Sequence, residues 1–279
     1  MRRLTKPDCD VESILDTCIS NITSAGLKSR LVGIKPNLKT AASNYEIAAT
    51  NSKLFEIKST DGVAPDVTTD EMVNLYDQKF ARLKQPGRTI YDKIKSAPVN
   101  DRCPLCAQGV VGSLDHYLPK TDFPVYAITA TNLVPACDKC NKIKLKQSAT
   151  KAEEQTLHPY FDDVENELWL KAQVLETSPA SFSFYVAPPL HWDEVLKART
   201  KHHFDLFKLN KLYISYAADL LTDIRYTLNT LYVETGTQGL NDHLNQQAKS
   251  YSKAHVNSWQ TSTYQAMADS DWFCDGGFK

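Results

Sequence analysis

The stretch that decides the fold is residues 102–146, which read RCPLCAQGVVGSLDHYLPKTDFPVYAITATNLVPACDKCNKIKLK. Two Cys-x-x-Cys pairs bracket it, Cys103 with Cys106 and Cys137 with Cys140. Thiolates are soft ligands, and two such pairs present four sulfurs at the spacing that a tetrahedral zinc ion requires. Cysteines without a metal, or a thioredoxin-like redox pair, are the alternatives, but two pairs arise by chance far less often than one. The pairs therefore predict a structural zinc site with no coordination position left for catalysis.

Between the two pairs lies the dipeptide Asp115-His116, inside a local pattern of strand, loop, strand and helix. Residues 110–114 read as a turn into a short strand, residues 132–135 as its partner, and residues 138–146 as a short helix. A zinc ion bound by both cysteine pairs would hold the start of this unit close to its helix. An isolated Asp-His pair is more often a surface or capping feature than a functional site, so its position between the cysteine pairs is what favours catalysis.

These motifs resemble those of the HNH, or His-Me finger, endonucleases, in the subgroup with two zinc knuckles. That family's pattern is C-x-x-C, D-H-x-x-P, N-L and C-x-x-C-N-x-x-K. After the first cysteine pair it appears here as Asp115-His116-Tyr117-Leu118-Pro119, Asn132-Leu133 and Cys140-Asn141-Lys142-Ile143-Lys144. At the position of the second histidine of the H-N-H motif this sequence has an asparagine, Asn141. That substitution is common in this subgroup. The match covers residues 102–146, and a fainter likeness outside them is to bacterial HNH proteins found beside ATPases in anti-phage defence and retron systems.

The resemblance implies a role for each polar residue of the motif. Asp115 and Asn141 would supply oxygen ligands to one catalytic Mg²⁺ or Mn²⁺ ion, which keeps waters in its remaining positions. His116 would be the general base that takes a proton from the attacking water. Asn132 would hold the loop between the strands in shape and so position His116, or would be an ordinary turn residue at the end of a strand.

Lysines are concentrated in the same stretch, although the formal net charge of the chain is only −1. The near-neutral total excludes a protein coated in basic residues but leaves room for a local basic patch. We expect Lys144, the lysine of the N-x-x-K pattern, and Lys142 to bind the phosphate backbone of the substrate. Lys120, Lys139 and Lys146 are left open between that role and a solvated surface.

The chain as a whole is predicted to have an α+β, mostly helical fold that is divided into three regions. Residues 1–98 form an N-terminal helical region, residues 99–165 the HNH nuclease module with its two zinc knuckles, and residues 166–279 a β-hairpin followed by a C-terminal helical region. Asp10 is expected to cap the first helix, and a capping box of Thr68 and Glu71 is expected to begin a later one.

Composition and cysteine usage indicate the compartment. No apolar run reaches the roughly 18 residues of a membrane helix, and the N-terminus lacks the apolar core of a signal peptide. Seven cysteines, four of them in Cys-x-x-Cys pairs, do not form the pattern of a secreted disulfide framework. Of the other three, Cys18 is expected in the core, and Cys9 and Cys274 are expected as free thiols. We therefore expect a cytoplasmic protein with no membrane contact.

The leading hypothesis from the sequence is a metal-dependent endonuclease that hydrolyses DNA phosphodiester bonds. The weaker likeness adds a setting in bacterial anti-phage defence, with an ATPase or other sensor as partner. The alternatives are a non-catalytic zinc module that binds nucleic acid or protein, and an RNase of the same fold. Asp115, His116 and Asn141 favour catalysis because a binding module does not need them. Two roles remain open for His158. It either contacts the metal or phosphate, or it is a structural histidine in a turn, and the second role is favoured.

Overall fold

Capped helices precede the central stretch. The Asp10 carboxylate accepts a hydrogen bond from the Ser13 N–H, and Thr68 and Glu71 form the reciprocal capping box, so both predicted caps are confirmed. The computed structural model describes residues 1–144 and 149–279. Its helices before the central stretch are α1 (Val11–Ile19), α2 (Ala25–Gly33), α3 (Lys35–Thr50), α4 (Thr69–Leu75) and α5 (Arg88–Lys95).

The N-terminal helices share one hydrophobic core with the central stretch. A π-helical turn, Tyr76–Phe80, continues α4 and carries both of its aromatic end residues into this core. Cys18 is buried there, as predicted. Leu114 and Leu133 of the central stretch belong to the same cluster. Residues 1–162 accordingly form one compact unit, and residues 163–279 form a second.

The central stretch contains a two-stranded antiparallel sheet followed by a short helix. Strand β1 (Ser113–His116) pairs with β2 (Leu133–Ala136), and the register sets Asp115 opposite Val134. Helix α6 (Asp138–Lys144) follows directly. The predicted order of strand, loop, strand and helix is therefore confirmed. The predicted end of the helix, including Lys146, lies outside the described residues.

The second unit contains the predicted hairpin and long helix. Strands β3 (Leu170–Leu175) and β4 (Ser181–Val186) pair antiparallel, and the side-chain oxygen of Asn257 accepts from the Trp169 N–H at the start of the hairpin. The helices of this unit are α7 (Glu194–Leu206), α8 (Leu209–Ala254) and α9 (Trp259–Ala268). The described chain is thus α+β and mostly helical with two small sheets, as predicted. None of its helices combines the length and apolar character needed to cross a bilayer.

Candidate metal and catalytic site

The four cysteines of the central stretch form one buried cluster. Their sulfur atoms all lie within 4.8 Å of one another, and the Sγ atoms of Cys106 and Cys137 are 3.9 Å apart. A tetrahedral zinc ion with Zn–S bonds of about 2.3 Å sets its sulfurs about 3.8 Å apart. The cluster could therefore hold a metal ion such as zinc, with cysteines as all four ligands.

The loop that carries the first cysteine pair is shaped around these sulfurs. The Gly109 N–H donates to Cys106 Sγ at 3.3 Å, and the Cys103 N–H donates to the Gly109 carbonyl at 2.8 Å. Ala107 takes up the left-handed conformation, with φ 59°, that the tight turn requires. A Cβ at Gly109 would lie 2.7 Å from both Cβ and Sγ of Cys137. Only glycine allows this approach of the loop to the second pair.

The thiols of this cluster depend on one another for their protonation. Hydrogen bonds from the other three cysteines, led by Cys103, hold the pKa of Cys106 below its ordinary value. Hydrogen bonds to Cys103, Cys106 and Cys137, led by that to Cys103, raise the pKa of Cys140. Four thiolates in one buried cluster repel each other, so they cannot all ionise without a cation among them. This donor set is that of a soft divalent metal site.

Asp115, on β1, is a buried carboxylate with an unsatisfied oxygen. The residue is 6% exposed, and its Oδ2 makes no hydrogen bond within residues 1–144 and 149–279. The closest cation is the ammonium of Lys144, with Nζ 3.3 Å from Oδ2. Burial raises the pKa of Asp115, and the positive charge of Lys144 opposes that shift. An orphaned carboxylate oxygen in a buried position is the kind of donor that a divalent cation completes.

His116, the next residue, has one ring nitrogen fixed and the other free. Its Nε2 lies 2.9 Å from the carbonyl oxygen of Ala127. Since a carbonyl only accepts, Nε2 carries the proton and Nδ1 keeps its lone pair. Nδ1 has no hydrogen-bond partner in the part of the chain that the structure describes. Burial lowers the pKa of His116 to about 3, so the ring is neutral at neutral pH. A neutral imidazole with a free nitrogen can accept a proton.

Asn132 closes the loop between the two strands. Its Oδ1 accepts from the Leu118 N–H at 2.8 Å, and its Nδ2 donates to the carbonyls of Leu118 at 3.0 Å and Tyr126 at 3.2 Å. The side chain is completely buried, so all three bonds are shielded from water. The loop so held includes Ala127, whose carbonyl fixes the ring of His116. This placement agrees with the loop-shaping role expected for Asn132, whereas its effect on catalysis stays a prediction.

Helix α6 carries the remaining predicted residues. The Asn141 Nδ2 donates to Ser113 Oγ on β1 at 2.9 Å, and its Oδ1 accepts no hydrogen bond from any described residue. Lys142 is exposed, as a phosphate-binding lysine would be. Lys144 is 4% exposed and donates to the carbonyls of His116 and Tyr117. The expected contact of Lys144 with phosphate does not agree with this placement, because its ammonium is enclosed by groups of the chain itself.

Sequence reasoning missed Tyr76, which lies against the candidate base. The ring centroids of Tyr76 and His116 are 4.4 Å apart in an edge-on arrangement. Lys120 Nζ also lies over the Tyr76 ring, 4.5 Å from its centroid, and pairs with Asp77. The motif gives no signal for Tyr76. Only the apolar spacing along α4 and its π-helical turn indicates that this tyrosine faces inward.

His158 has the structural role favoured by the sequence. Its Nδ1 accepts from the Tyr160 N–H at 3.2 Å, and its Nε2 lies 3.1 Å from the hydroxyl of Tyr45. Its ring stacks on Tyr117 with centroids 4.4 Å apart. These contacts engage both ring nitrogens inside an aromatic cluster, which leaves neither for a metal.

Comparisons with known proteins give one relative of matching length. The chain is 25% identical to protein ea31 of Escherichia phage lambda over 296 residues, an alignment that covers 99% of this chain and all of ea31. No protein-family model matches the chain, and no solved structure matches it. The likeness to ea31 is too low to show a family, and its name states no activity.

Proposed function

We propose that this chain is a metal-dependent endonuclease of the HNH type that hydrolyses phosphodiester bonds in DNA. Cys103, Cys106, Cys137 and Cys140 would hold a structural zinc ion. Asp115 and Asn141 would hold a catalytic Mg²⁺ or Mn²⁺ ion, and His116 would be the general base. The proposal rests above all on two features of successive residues in β1: the unsatisfied, buried Oδ2 of Asp115, and the neutral imidazole of His116 with its free Nδ1.

Each residue of the site has a separate role in the proposed hydrolysis. A divalent ion bound there would supply positive charge to stabilise the phosphate as it is attacked. Nδ1 of His116 takes the proton of the attacking water as the water oxygen bonds to phosphorus. The bond from phosphorus to the 3′-oxygen breaks, which leaves a 5′-phosphate and a 3′-hydroxyl end. The Ala127 carbonyl, bonded to Nε2, favours the imidazolium that results, because a carbonyl dipole stabilises the positive ring. Asn132 keeps that carbonyl in place through its bonds to the loop.

A competing function is a zinc module that binds nucleic acid or protein without catalysis. One observation favours it: the ammonium of Lys144 already lies 3.3 Å from Asp115 Oδ2, so the carboxylate has a counter-charge without any ion. This reading leaves the free Nδ1 of His116 without a purpose, and we therefore rank it second. An RNase of the same design would use the same residues, since the proposed chemistry reaches only the phosphate.

The setting in anti-phage defence, with an ATPase or sensor partner, rests on the weaker sequence likeness alone. Protein ea31 is a phage protein, and its name neither supports nor opposes that setting. Activity that appears only when a candidate partner is added would support it.

The test is a nicking assay on supercoiled DNA and on RNA of matched length, with Mg²⁺, Mn²⁺ or chelator. We expect the wild-type protein to nick DNA with either ion. His116→Ala should lose about 100-fold or more, the usual contribution of a general base. His191→Ala is the matched control, because His191 is exposed and lies in the second unit. Full Mg²⁺-dependent nicking by His116→Ala would exclude the proposed mechanism, and RNA cleavage alone would identify an RNase.

A further inference from the structure

We propose that Lys144 is a positioning residue that fastens α6 to the catalytic end of β1, and that it does not contact the nucleic acid. The inference rests on the proposed function and changes the role that the N-x-x-K pattern indicates for this lysine.

Groups of the described part of the chain surround the Lys144 ammonium. Nζ donates to the carbonyl of His116 at 2.7 Å and to the carbonyl of Tyr117 at 2.8 Å. The Oδ2 of Asp115 lies 3.3 Å away, and the ring centroid of Tyr117 lies 5.4 Å away. A lysine ammonium has three hydrogens to donate, and a buried charge persists only when it is paired and hydrogen-bonded. Two carbonyls accept from this ammonium and the Asp115 carboxylate lies 3.3 Å from it as a counter-charge, so the charge is already paired within the chain and the ammonium is not presented to a phosphate.

Lys144 connects the two elements that carry the candidate site. Asp115 and His116 lie on β1, whereas Asn141 lies on α6. One ion can be shared by Asp115 and Asn141 only if strand and helix keep a fixed relation. The cysteine cluster fixes the first turn of α6 through Cys140, and Lys144 fixes its last described turn to the end of β1. Asn141 lies between these two attachments.

The spacing along α6 explains why one lysine fastens the helix and another does not. Lys144 follows Asn141 by three residues, which places both on one face of the helix, toward β1. Lys142 lies on another face and is exposed. The helix therefore offers a matched pair: a buried lysine that holds the strand, and an exposed lysine that is free to meet a phosphate.

The two roles predict different kinetics for substitutions. Removal of a lysine that binds phosphate raises KM and reduces the slope of log binding constant against log salt concentration by about one. Arginine replaces such a lysine well. A positioning lysine lowers kcat with KM and salt dependence unchanged, because a displacement of about 1 Å can cost about 100-fold in rate. Arginine does not rescue it, since the planar guanidinium does not fit a site shaped for an ammonium.

The experiment compares Lys144→Met, Lys144→Arg and Lys142→Met in the full chain. We expect both Lys144 variants to lose about 100-fold in kcat with KM and salt dependence unchanged. Lys142→Met should instead raise KM and lower the salt dependence of binding, as the loss of a phosphate-binding lysine does. In ¹⁵N NMR spectra without substrate or added divalent ion, the ring nitrogens of His116 and the side-chain amide of Asn141 should shift in the Lys144 variants only. If Lys144→Met fails to fold, Lys144→Arg provides both measurements.

Raised KM and reduced salt dependence in Lys144→Met, or full activity in Lys144→Arg, would overturn the inference while the nuclease proposal stands. If the wild-type protein cleaves nothing, the nuclease proposal fails, and the NMR comparison still tests Lys144. Unchanged signals of His116 and Asn141 in both Lys144 variants would overturn the positioning role in either case.

Discussion

At the scale of single residues, Gly109 makes a sharp test of the cysteine cluster. A Cβ at this position would lie 2.7 Å from Cys137 Sγ, inside the distance that any real Cβ keeps. Gly109→Ala should therefore push the two cysteine pairs apart, speed the loss of zinc to a chelator several-fold and lower the melting temperature by several degrees. Zinc content and thermal unfolding measure both effects.

Gly26→Ala is the control for that substitution, because nothing lies within 4 Å of the added methyl group and the residue is inside α2. It should leave zinc content unchanged and raise stability by up to about 1 kcal/mol. Normal zinc retention by Gly109→Ala would show that the loop does not need this close approach.

Replacement by aspartate, which has nearly the same shape, should change the free energy of unfolding differently at the two asparagines of the site. Asn132→Asp loses both Nδ2–H donors and buries a carboxylate against the carbonyls of Leu118 and Tyr126, so we expect a loss of about 3 kcal/mol. Asn141→Asp keeps an oxygen ligand and can accept from the Ser113 hydroxyl, so its cost should stay below about 1 kcal/mol. Urea unfolding at neutral pH compares the two. Equal losses would contradict the roles assigned here.

At the scale of elements, the pair of Arg30 and Glu71 holds α4 and so the Tyr76 that follows it. Arg30 Nη1 donates to Glu71 Oε2 at 2.8 Å, and Nη2 reaches the other oxygen. Hydrogen bonds from Arg30 lower the pKa of Glu71 to about 2, from an ordinary value of 4.5. A carboxylate with a depressed pKa in the folded state contributes stability above pH 4.5, and this contribution is lost as the pH falls toward 2.

Glu71→Gln should therefore lower the free energy of unfolding at pH 7 by about 1 kcal/mol, a modest figure because the pair is partly exposed to solvent. It should also flatten the decline in stability between pH 4.5 and pH 2. Glu56→Gln, on an exposed ion pair with Lys53, serves as control and should change little. A wild-type decline that persists unchanged in Glu71→Gln would contradict this assignment.

The elements of the central stretch could be predicted because their signals are local. Cysteine spacing, the Asp115-His116 dipeptide and the caps at Asp10 and Thr68 each need only neighbouring residues. The contact of Tyr76 with His116 could not be predicted, because it depends on how a helix far along the chain packs against the sheet. The burial of Lys144 could not be predicted either, because a charged residue on a short helix is ordinarily exposed.

At the scale of the whole molecule, the cysteine cluster and the second unit have separate sources of stability. The cluster lies in residues 1–162, whereas residues 163–279 have their own core between the hairpin and α9. Structural zinc contributes about 10–16 kcal/mol to the folding of small zinc domains, as much as the whole stability of an ordinary domain. Loss of the zinc ion proposed for this cluster should therefore unfold the first unit around it.

Cys140→Ser tests this by hydrogen exchange along the chain. We expect amide protection to fall in residues 1–162, because a serine hydroxyl is a poor substitute for a thiolate ligand. Protection in residues 163–279 should stay as in the wild-type protein. Cys274→Ser is the mirror-image control: Cys274 is buried in the second unit and outside the cluster, so its loss should act there alone. Loss of protection in residues 163–279 on Cys140→Ser would mean that the cysteine cluster also supports the fold of the second unit.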